Sequence, residues 1–132
     1  MIYANSLRTS KEPILYYLAS PYSDPDPQVK EYRYLRVMEC TARLIDQNIM
    51  TFSPILYSHE MSKLYKLPTD AAWWWDFNRT MLDKCGHLII LKTQGYDKSV
   101  GVAQEKEHAL KMNYPVYLFE DTIDAVFKKE ER

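Results

Sequence analysis

The sequence predicts an α/β fold with a parallel sheet between two layers of helices. Short apolar runs alternate with longer amphipathic segments, prolines and polar turns separate them, and the order reads β-α-β-α-β-α-β-α. Strands that alternate with helices form parallel sheets with right-handed crossovers, and the helices then cover both faces. We therefore expect a three-layer α/β/α domain.

The first half of the chain contains two predicted strands and a long helix. Residues 14–19, "ILYYLA", form an apolar run that predicts a buried strand. The proline-rich residues 20–27 forbid a helix and predict a loop. Residues 27–48 place apolar side chains at helical spacing, and residues 50–53 predict a short second strand.

The second half begins with a long connection over residues 55–68. Thr69 or Asp70 then caps a helix that runs to about Lys84. The remaining predicted elements are a strand at 87–91, a helix at 101–112, a strand at 115–119 and a closing helix at 121–129.

Length and composition indicate one domain. The chain has 132 residues, of which 46% are hydrophobic, so we expect a single domain over residues 1–132 with a substantial core. We expect residues 1–12 to be a flexible or peripheral segment.

Charge and cysteine content restrict the partners and the compartment. A net charge of −1 gives no electrostatic reason to expect duplex nucleic acid or an anionic membrane as a partner. No apolar run approaches the roughly 20 residues that span a bilayer, and the N-terminus lacks the apolar core of a signal peptide. The two cysteines, Cys40 and Cys85, lie far apart in the sequence. We therefore expect a reduced, cytoplasmic protein with no membrane partner.

Three loops follow the first three predicted strands: "SPYSDPDP", "SPILYSHE" and "KTQGYDKSVG". In open parallel sheets, ligands bind outside the carboxyl ends of the strands, near the point where the strand order reverses. The three loops should therefore converge on one binding site.

The stretch "SVGVAQEKE" places Glu105 about one turn into the helix after the third strand. One interpretation is an ordinary acidic residue near a helix N-terminus, where the dipole stabilises it. The other is a reagent that faces the cleft, since a carboxylate can attack a sugar C1 or stabilise an oxocarbenium-like centre. Glu107 points about 200° away by helical geometry and fits the first interpretation.

Several segments resemble the nucleoside 2-deoxyribosyltransferase-like superfamily, and within it the phage and bacterial DUF1937 branch of unassigned function. They are "YLASPYS", "TFSPILYSH", a Trp-containing helix, "CGHLIIL" and "GYDKSVGVAQEKEHALKMNYPV", in this order over about residues 14–120. The resemblance implies a flavodoxin-like (Rossmann-like) three-layer fold with a four- or five-stranded parallel sheet. Characterised relatives are nucleoside deoxyribosyltransferases and nucleoside 5'-monophosphate N-glycosidases.

The resemblance also implies roles for particular residues. Glu105 would be the nucleophile of an S-x-G-x-x-x-E pattern, and Tyr16 or Tyr17 would orient it, since strand alternation lets only one of them face the site. Ser99 would help to hold a phosphate. Further substrate contacts would come from the remaining motif residues and the helix after the first loop: Ala19, Ser20, Pro21, Tyr22, Arg33, Ser53, Pro54, His59 and Gly101.

Arg33 and His59 also have simpler interpretations. An arginine can hold phosphate with two hydrogen bonds, but Arg33 and Arg36 are also typical of a solvated helix surface. His59 is either polar surface or a contact to base or phosphate. Because no second histidine lies at metal spacing, we expect neither a metal nor a cofactor.

The sequence departs from the family pattern at Asn78, where relatives carry an aspartate that assists the leaving group. An amide cannot take or carry a proton in that role. Asp76, two residues away, remains a candidate catalytic group. Either Asn78 only hydrogen-bonds the substrate, or this protein has changed its chemistry.

The predicted function is hydrolysis of the N-glycosidic bond of a nucleoside 5'-monophosphate. The alternatives are a module that binds a nucleotide without turnover and a nucleoside deoxyribosyltransferase. The small-molecule partner is a nucleotide or nucleoside. Residues 73–75 are consecutive tryptophans that cannot all face one way, so we expect one on the core and another on a ligand or partner subunit. The resemblance implies a homo-oligomer, either a dimer or a tetramer.

Overall fold

The computed structural model describes residues 2–3 and 13–121, which form five strands and four helices. The strands are β1 Ile2–Tyr3, β2 Tyr16–Ala19, β3 Thr51–Phe52, β4 Leu88–Lys92 and β5 Val116–Glu120. The helices are α1 Pro27–Asp46, α2 Pro54–Tyr65, α3 Ala71–Cys85 and α4 Val100–Lys111. No helix in these ranges is long and apolar enough to cross a membrane.

All five strands are parallel, in the order β1-β5-β4-β2-β3. The pairing of Tyr17 with Leu88 and of Leu18 with Ile89 joins β2 to β4 inside the sheet. From β2 the chain first adds β3 on one side and then crosses to β4 on the other. The strand order therefore reverses between β2 and β4, which is the flavodoxin-like arrangement.

Helices cover both faces of the sheet, which confirms the three-layer prediction. Alternate residues of β2 point to opposite faces, so Leu18 packs with Cys40 of α1 while Ala19 packs with Cys85 of α3. Helices α1 and α2 lie on the first face, and α3 and α4 lie on the second. The two cysteines are thus buried in separate cores.

Three helices begin at capping side chains, of which the sequence analysis named only Asp70, as an alternative to Thr69. Asp26, Asp70 and Ser99 each accept a hydrogen bond from a backbone N–H in the first turn of the helix that follows. These caps satisfy amide groups that a helix start otherwise leaves unpaired. They also fix the loops at the carboxyl ends of the strands.

One helix contradicts the prediction. Residues 55–68 were expected to be a connection, but α2 occupies most of this segment. Pro54 occupies the start of the helix, where its missing N–H costs nothing, and the Ser53 hydroxyl accepts from the Leu56 N–H at 3.2 Å. Lys66, in the left-handed conformation with φ 57°, ends the helix. A serine followed by proline was therefore a helix start rather than only a strand end.

The chain ends are described only in part. Ile2 and Tyr3 pair in parallel with β5 as an edge strand, which the sequence analysis did not predict. The predicted closing helix at 121–129 lies outside the described residues, except for Asp121.

Candidate active site

A cavity of about 640 Å³ lies at the carboxyl ends of the strands, beside the point where their order reverses. The loops after β2, β3 and β4 all contribute to its wall, which confirms that they converge. The lining includes Ser20, Pro21, Tyr22, Ser23, Arg33, Pro54, Ile55, Ser58, Trp74, Trp75, Asn78, Lys98, Ser99, Gly101, Gln104 and Glu105.

Glu105 and Tyr17 form a buried hydrogen-bonded pair at this cavity. The Tyr17 hydroxyl donates to Oε2 of Glu105, whose residue surface is only 6% exposed. Burial raises the pKa of Glu105 to about 8, and the hydrogen bond from Tyr17 partly opposes that rise. Burial, followed by the neighbouring carboxylate, raises the pKa of Tyr17 well above its ordinary value. Tyr17 therefore keeps its proton and acts as a donor, while Glu105 ionises in mildly alkaline solution.

The two alternatives that strand and helix geometry left open are resolved. Tyr16 packs into the core on the other face of β2, where it contacts His87 and Tyr117 edge-on, so the prediction that it might orient Glu105 is corrected. Glu107 is exposed to solvent. Glu105 is thus the residue that lines the cavity, and Tyr17 contacts it from the buried core.

Asn78 and Asp76 lie in different environments on α3. Asn78 lines the cavity, and its side-chain oxygen is buried with no hydrogen-bond partner among the described residues. The side chain of Asp76 is 95% exposed and lies 3.8 Å from Arg79. The catalytic assignment of Asp76 is therefore corrected, because its carboxylate faces solvent.

Ser20 is a second cavity residue with an unsatisfied polar atom. Its hydroxyl oxygen is buried without a hydrogen-bond partner in the described part of the chain. A buried polar atom without a partner costs about 1–3 kcal/mol, so such atoms at a cavity wall indicate where a polar ligand group or water binds. Ala19, just before it, belongs to the core beneath the cavity and does not line it.

Cationic and small residues occupy the wall formed by the first and third loops. Nη1 of Arg33 donates to the Ser23 carbonyl at 2.9 Å, which ties the guanidinium to the first loop. Gly95, at φ +91°, approaches the same group so closely that a Cβ atom there would lie 3.0 Å from Nη2. Lys98 lies in the same wall, immediately before Ser99, which caps α4. The sequence analysis placed this loop at the site but did not single out Lys98.

His59 lies behind the cavity wall rather than in it. Its imidazole is buried, with Nδ1 2.6 Å from the hydroxyl of Tyr22 and Nε2 3.0 Å from Oε1 of Glu31. The predicted direct contact between His59 and a ligand is therefore wrong, and His59 is connected to the cavity only through Tyr22. Ser53 is likewise buried as the cap of α2, and only Pro54 of that predicted pair reaches the cavity.

Glu31, His59 and Glu60 each bring one possible ligand atom to within 4.8 Å of the others. Hydrogen bonds account for this spacing without an ion, since His59 contacts Glu31 and the Lys63 ammonium lies 3.5 Å from the same carboxylate. We therefore describe these side chains as a hydrogen-bonded network.

The three consecutive tryptophans lie in different environments, as expected for neighbouring positions on a helix. Trp74 and Trp75 line the cavity, and the Trp74 indole donates to the Pro68 carbonyl at 2.7 Å. Trp73 is 53% exposed on the outer surface, where it contacts the edge of Trp74. Two of the tryptophans thus lie at the cavity, and the third is exposed outside it.

Five parallel strands whose order reverses beside the cavity, with helices on both faces, define a protein of the flavodoxin-like α/β class. One protein-family model matches most of the chain. The protein belongs to the DUF1937 family, a domain of unknown function, whose model matches residues 14–121. No curated protein gives a significant match.

Proposed function

We propose that the protein binds a nucleoside 5'-monophosphate and hydrolyses its N-glycosidic bond, with Glu105 as the nucleophile. The observation that carries the proposal is the buried carboxylate of Glu105 in the cavity lining, which accepts a hydrogen bond from Tyr17. Residues 99–105 carry the S-x-G-x-x-x-E pattern through which the sequence resembles nucleotide N-glycosidases.

The reaction begins with attack by an ionised Glu105 on C1' of the sugar. Because Oε2 accepts from Tyr17, the hydrogen bond orients the carboxylate and leaves Oε1 available to form the new bond. The C1'–N bond breaks as the ester forms, and its electron pair stays with the base. Water then cleaves the glycosyl ester, which releases the sugar phosphate and restores the carboxylate.

A pKa near 8 makes the resting carboxylate mostly protonated at neutral pH. About one molecule in ten is then ionised at pH 7, so the rate should rise with pH toward 8. Positive charge that develops at the sugar in the transition state favours the ionised carboxylate. The buried pair is therefore suited to stabilise the transition state more than the ground state.

The phosphate is assigned to the wall that contains Lys98, Ser99 and Arg33. Lys98 supplies a cation, and the free amide groups at the start of α4 favour an anion. The sugar would lie between the phosphate and the part of the cavity wall that contains Trp75. Its C1' would then face Glu105. These contacts are the reason to prefer a monophosphate over an unphosphorylated nucleoside.

The base is assigned to the wall formed by α3. Trp74 and Trp75 provide aromatic surface, and the unpaired oxygen of Asn78 can accept a hydrogen bond from an N–H group of the base or a hydroxyl of the sugar. Asn78 binds and orients in this proposal. It cannot protonate the departing base, so the proton must come from another group.

The direct experiment is to incubate the protein with a panel of ribo- and deoxyribonucleoside monophosphates and to measure released base by chromatography. We expect one or a few of them to lose their base, and intact-mass spectrometry of Glu105 variants and the parent to detect a sugar-phosphate adduct only on the parent. A protein that binds a nucleotide in calorimetry but releases no base would disprove the proposed hydrolysis.

Two other functions use the same cavity. A binding module without turnover is favoured by Asn78, which replaces the acid of the relatives, and it predicts binding without base release. A deoxyribosyltransferase would pass the sugar to a second base instead of water. Adding a different free base to the reaction separates the two enzymes, because only the transferase forms the new nucleotide.

A further inference from the structure

A chain of three hydrogen-bonded side chains leads from the cavity wall to the protein surface. The hydroxyl of Tyr22, which lines the cavity, lies 2.6 Å from Nδ1 of His59. Nε2 of His59 lies 3.0 Å from a surface carboxylate, that of Glu31. The ring of Tyr34 stacks on the imidazole with centroids 4.0 Å apart, which fixes the plane of the ring. The hydrogen-bonding directions of His59 are therefore set.

Glu31 determines which nitrogen of His59 carries hydrogen. The hydrogen bond from His59 is the main reason that the pKa of Glu31 is lowered, so this carboxylate is ionised and only accepts. Nε2 must then carry a hydrogen. In the neutral imidazole, Nδ1 is an acceptor and the hydroxyl of Tyr22 donates to it.

Protonation of His59 reverses the hydrogen bond to Tyr22. Both nitrogens of an imidazolium donate, so Nδ1–H donates to the oxygen of Tyr22. The hydroxyl hydrogen of Tyr22 is then free to point into the cavity. Burial and the nearby Glu31 and Glu60 raise the pKa of Tyr22 to about 12, so the phenol retains its proton until a ligand group takes it.

We infer that Tyr22 protonates the departing base, and that the imidazolium of His59, held by the Glu31 carboxylate, returns a proton to Tyr22. This inference rests on the proposed glycosidase function and supplies the acid that Asn78 cannot provide. Among these three hydrogen-bonded side chains, Tyr22 is the catalytic residue, because it lines the cavity. His59 and Glu31 act through it.

The two half-reactions balance in protons. In the first, Glu105 bonds to C1', the C1'–N electron pair moves to the base, Tyr22 gives the base its proton, and the imidazolium restores the phenol. In the second, water attacks C1', the Glu105 carboxylate leaves, and the proton lost by water passes through Tyr22 to the neutral imidazole. The net reaction is hydrolysis, with every protein group returned to its starting state.

The charged groups around His59 come from two helices. Glu31 belongs to α1, and Glu60 and Lys63 belong to α2. Oε1 of Glu60 lies 3.9 Å from Nε2 of His59, and Nζ of Lys63 lies 3.5 Å from Oε1 of Glu31. Because these side chains are exposed at the surface, the outer end of the chain can exchange protons with water.

The test compares two leaving groups on the same variants. The first substrate is the nucleotide that the parent hydrolyses fastest, and the second is its N-methylated cation (N7-methyl for a purine, N3-methyl for cytosine). The cationic base departs without a proton from the enzyme, whereas the ordinary base needs one. General acids typically contribute about 10²–10⁴ in rate.

Tyr22→Phe should slow release of the ordinary base about 100-fold or more and change release of the methylated base by less than about threefold. His59→Gln should show the same selectivity, and Glu31→Gln a smaller loss of the same kind. The matched control is Tyr65→Phe, an exposed tyrosine outside the cavity, which should keep both rates. Normal release of the methylated base also shows that a variant is folded with an intact nucleophile.

Each other outcome has a separate meaning. Equal losses on both substrates, or no loss on either, would overturn the proton chain while leaving the glycosidase proposal standing. Failure of the parent to release either base would overturn the glycosidase proposal, and this inference with it.

Discussion

The hydroxyl of Tyr17, on the central strand β2, donates its hydrogen bond to the carboxylate of Glu105, on helix α4. The two residues are 88 positions apart in the chain. Their contact joins the sheet to the helix that follows β4, at the point where the strand order reverses. The predictions for Glu105, Tyr17 and Lys98 depend on this pair and on the cavity that Glu105 lines.

Glu105→Gln should abolish most base release while preserving binding. The amide has the same shape but lacks the attacking charge, and we expect a loss of three orders of magnitude or more in single-turnover rate, about 4 kcal/mol of barrier. Glu107→Gln is the matched control, because this side chain is exposed on the same helix, and it should stay within about twofold. Equal rates for the parent and Glu105→Gln would refute the nucleophile assignment.

Tyr17→Phe should move the pH–rate profile to higher pH. The hydrogen bond from Tyr17 lowers the pKa of Glu105 against the larger effect of burial, so its removal leaves the carboxyl harder to ionise. The midpoint of the rise in single-turnover rate should therefore shift above the pH of about 8 expected for the parent. Tyr16→Phe serves as the control and should leave the midpoint unchanged, since this ring packs on the opposite face. A lower midpoint in Tyr17→Phe would contradict the described hydrogen bond.

Stability should fall as pH rises toward 8. The pKa of Glu105 is raised from 4.5 to about 8 in the folded protein, so folding favours the protonated carboxyl. Its contribution is fully present below about pH 4.5 and is lost as pH rises through 8, by up to about 1.4 kcal/mol per pH unit. Urea unfolding at several pH values should show this slope in the parent and a flatter one in Glu105→Gln. Parallel slopes would mean that Glu105 ionises freely in the folded state.

Lys98→Met should weaken recognition of the phosphate. Removal of this cation should raise KM for the monophosphate about tenfold, with little effect on the corresponding nucleoside, because the nucleoside makes no ionic contact there. Lys106→Met is the control, since Lys106 is exposed on α4 outside the cavity lining. If both substrates respond equally to Lys98→Met, the phosphate lies elsewhere.

Trp73 should lie in an interface between copies of the chain. Trp73 is 53% exposed, and its ring contacts Trp74, which in turn contacts Phe77 in its stack with Tyr57, so aromatic rings follow one another from Trp73 to Tyr57. Sedimentation at high micromolar concentration should give a dimer or tetramer, and Trp73→Ser should shift it toward monomer. The control Tyr32→Ser, at an exposed position on α1, should not. A monomeric parent would refute the interface.

Periodicity and turn residues were sufficient to predict four of the five strands, three helices and the convergence of the loops. These features depend on local signals, namely apolar runs, turn residues and the cap Asp70. Helix α2 was missed because Ser53 and Pro54 were interpreted only as the end of a strand. A serine followed by a proline can therefore end a strand or begin a helix. Here the segment forms a helix that packs against α1.

The site was predictable only where a motif named its residues. Glu105 and Ser99 follow from a short pattern, the family resemblance also offered Tyr16 and Tyr17, and alternation in β2 allowed only one of these two tyrosines to face the site. The hydrogen bonds from Tyr22 through His59 to Glu31 could not be predicted from the sequence, because these residues come from a loop and two helices and meet only in the folded structure. Asp76 was a wrong candidate because helical rotation of two positions turns it away from Asn78.

The burial of Cys40 and Cys85 on opposite faces of the sheet has a practical consequence. The two sulfurs are separated by the full thickness of the sheet, so they cannot pair with each other, and burial raises the pKa of each thiol to about 11. We therefore expect both thiols of the folded protein to react slowly with thiol reagents at neutral pH. A single cysteine introduced at an exposed position of the cavity rim, such as Ser23, would carry a fluorophore or spin label without removal of either natural cysteine. Ligand entry could then be followed on the otherwise unaltered chain.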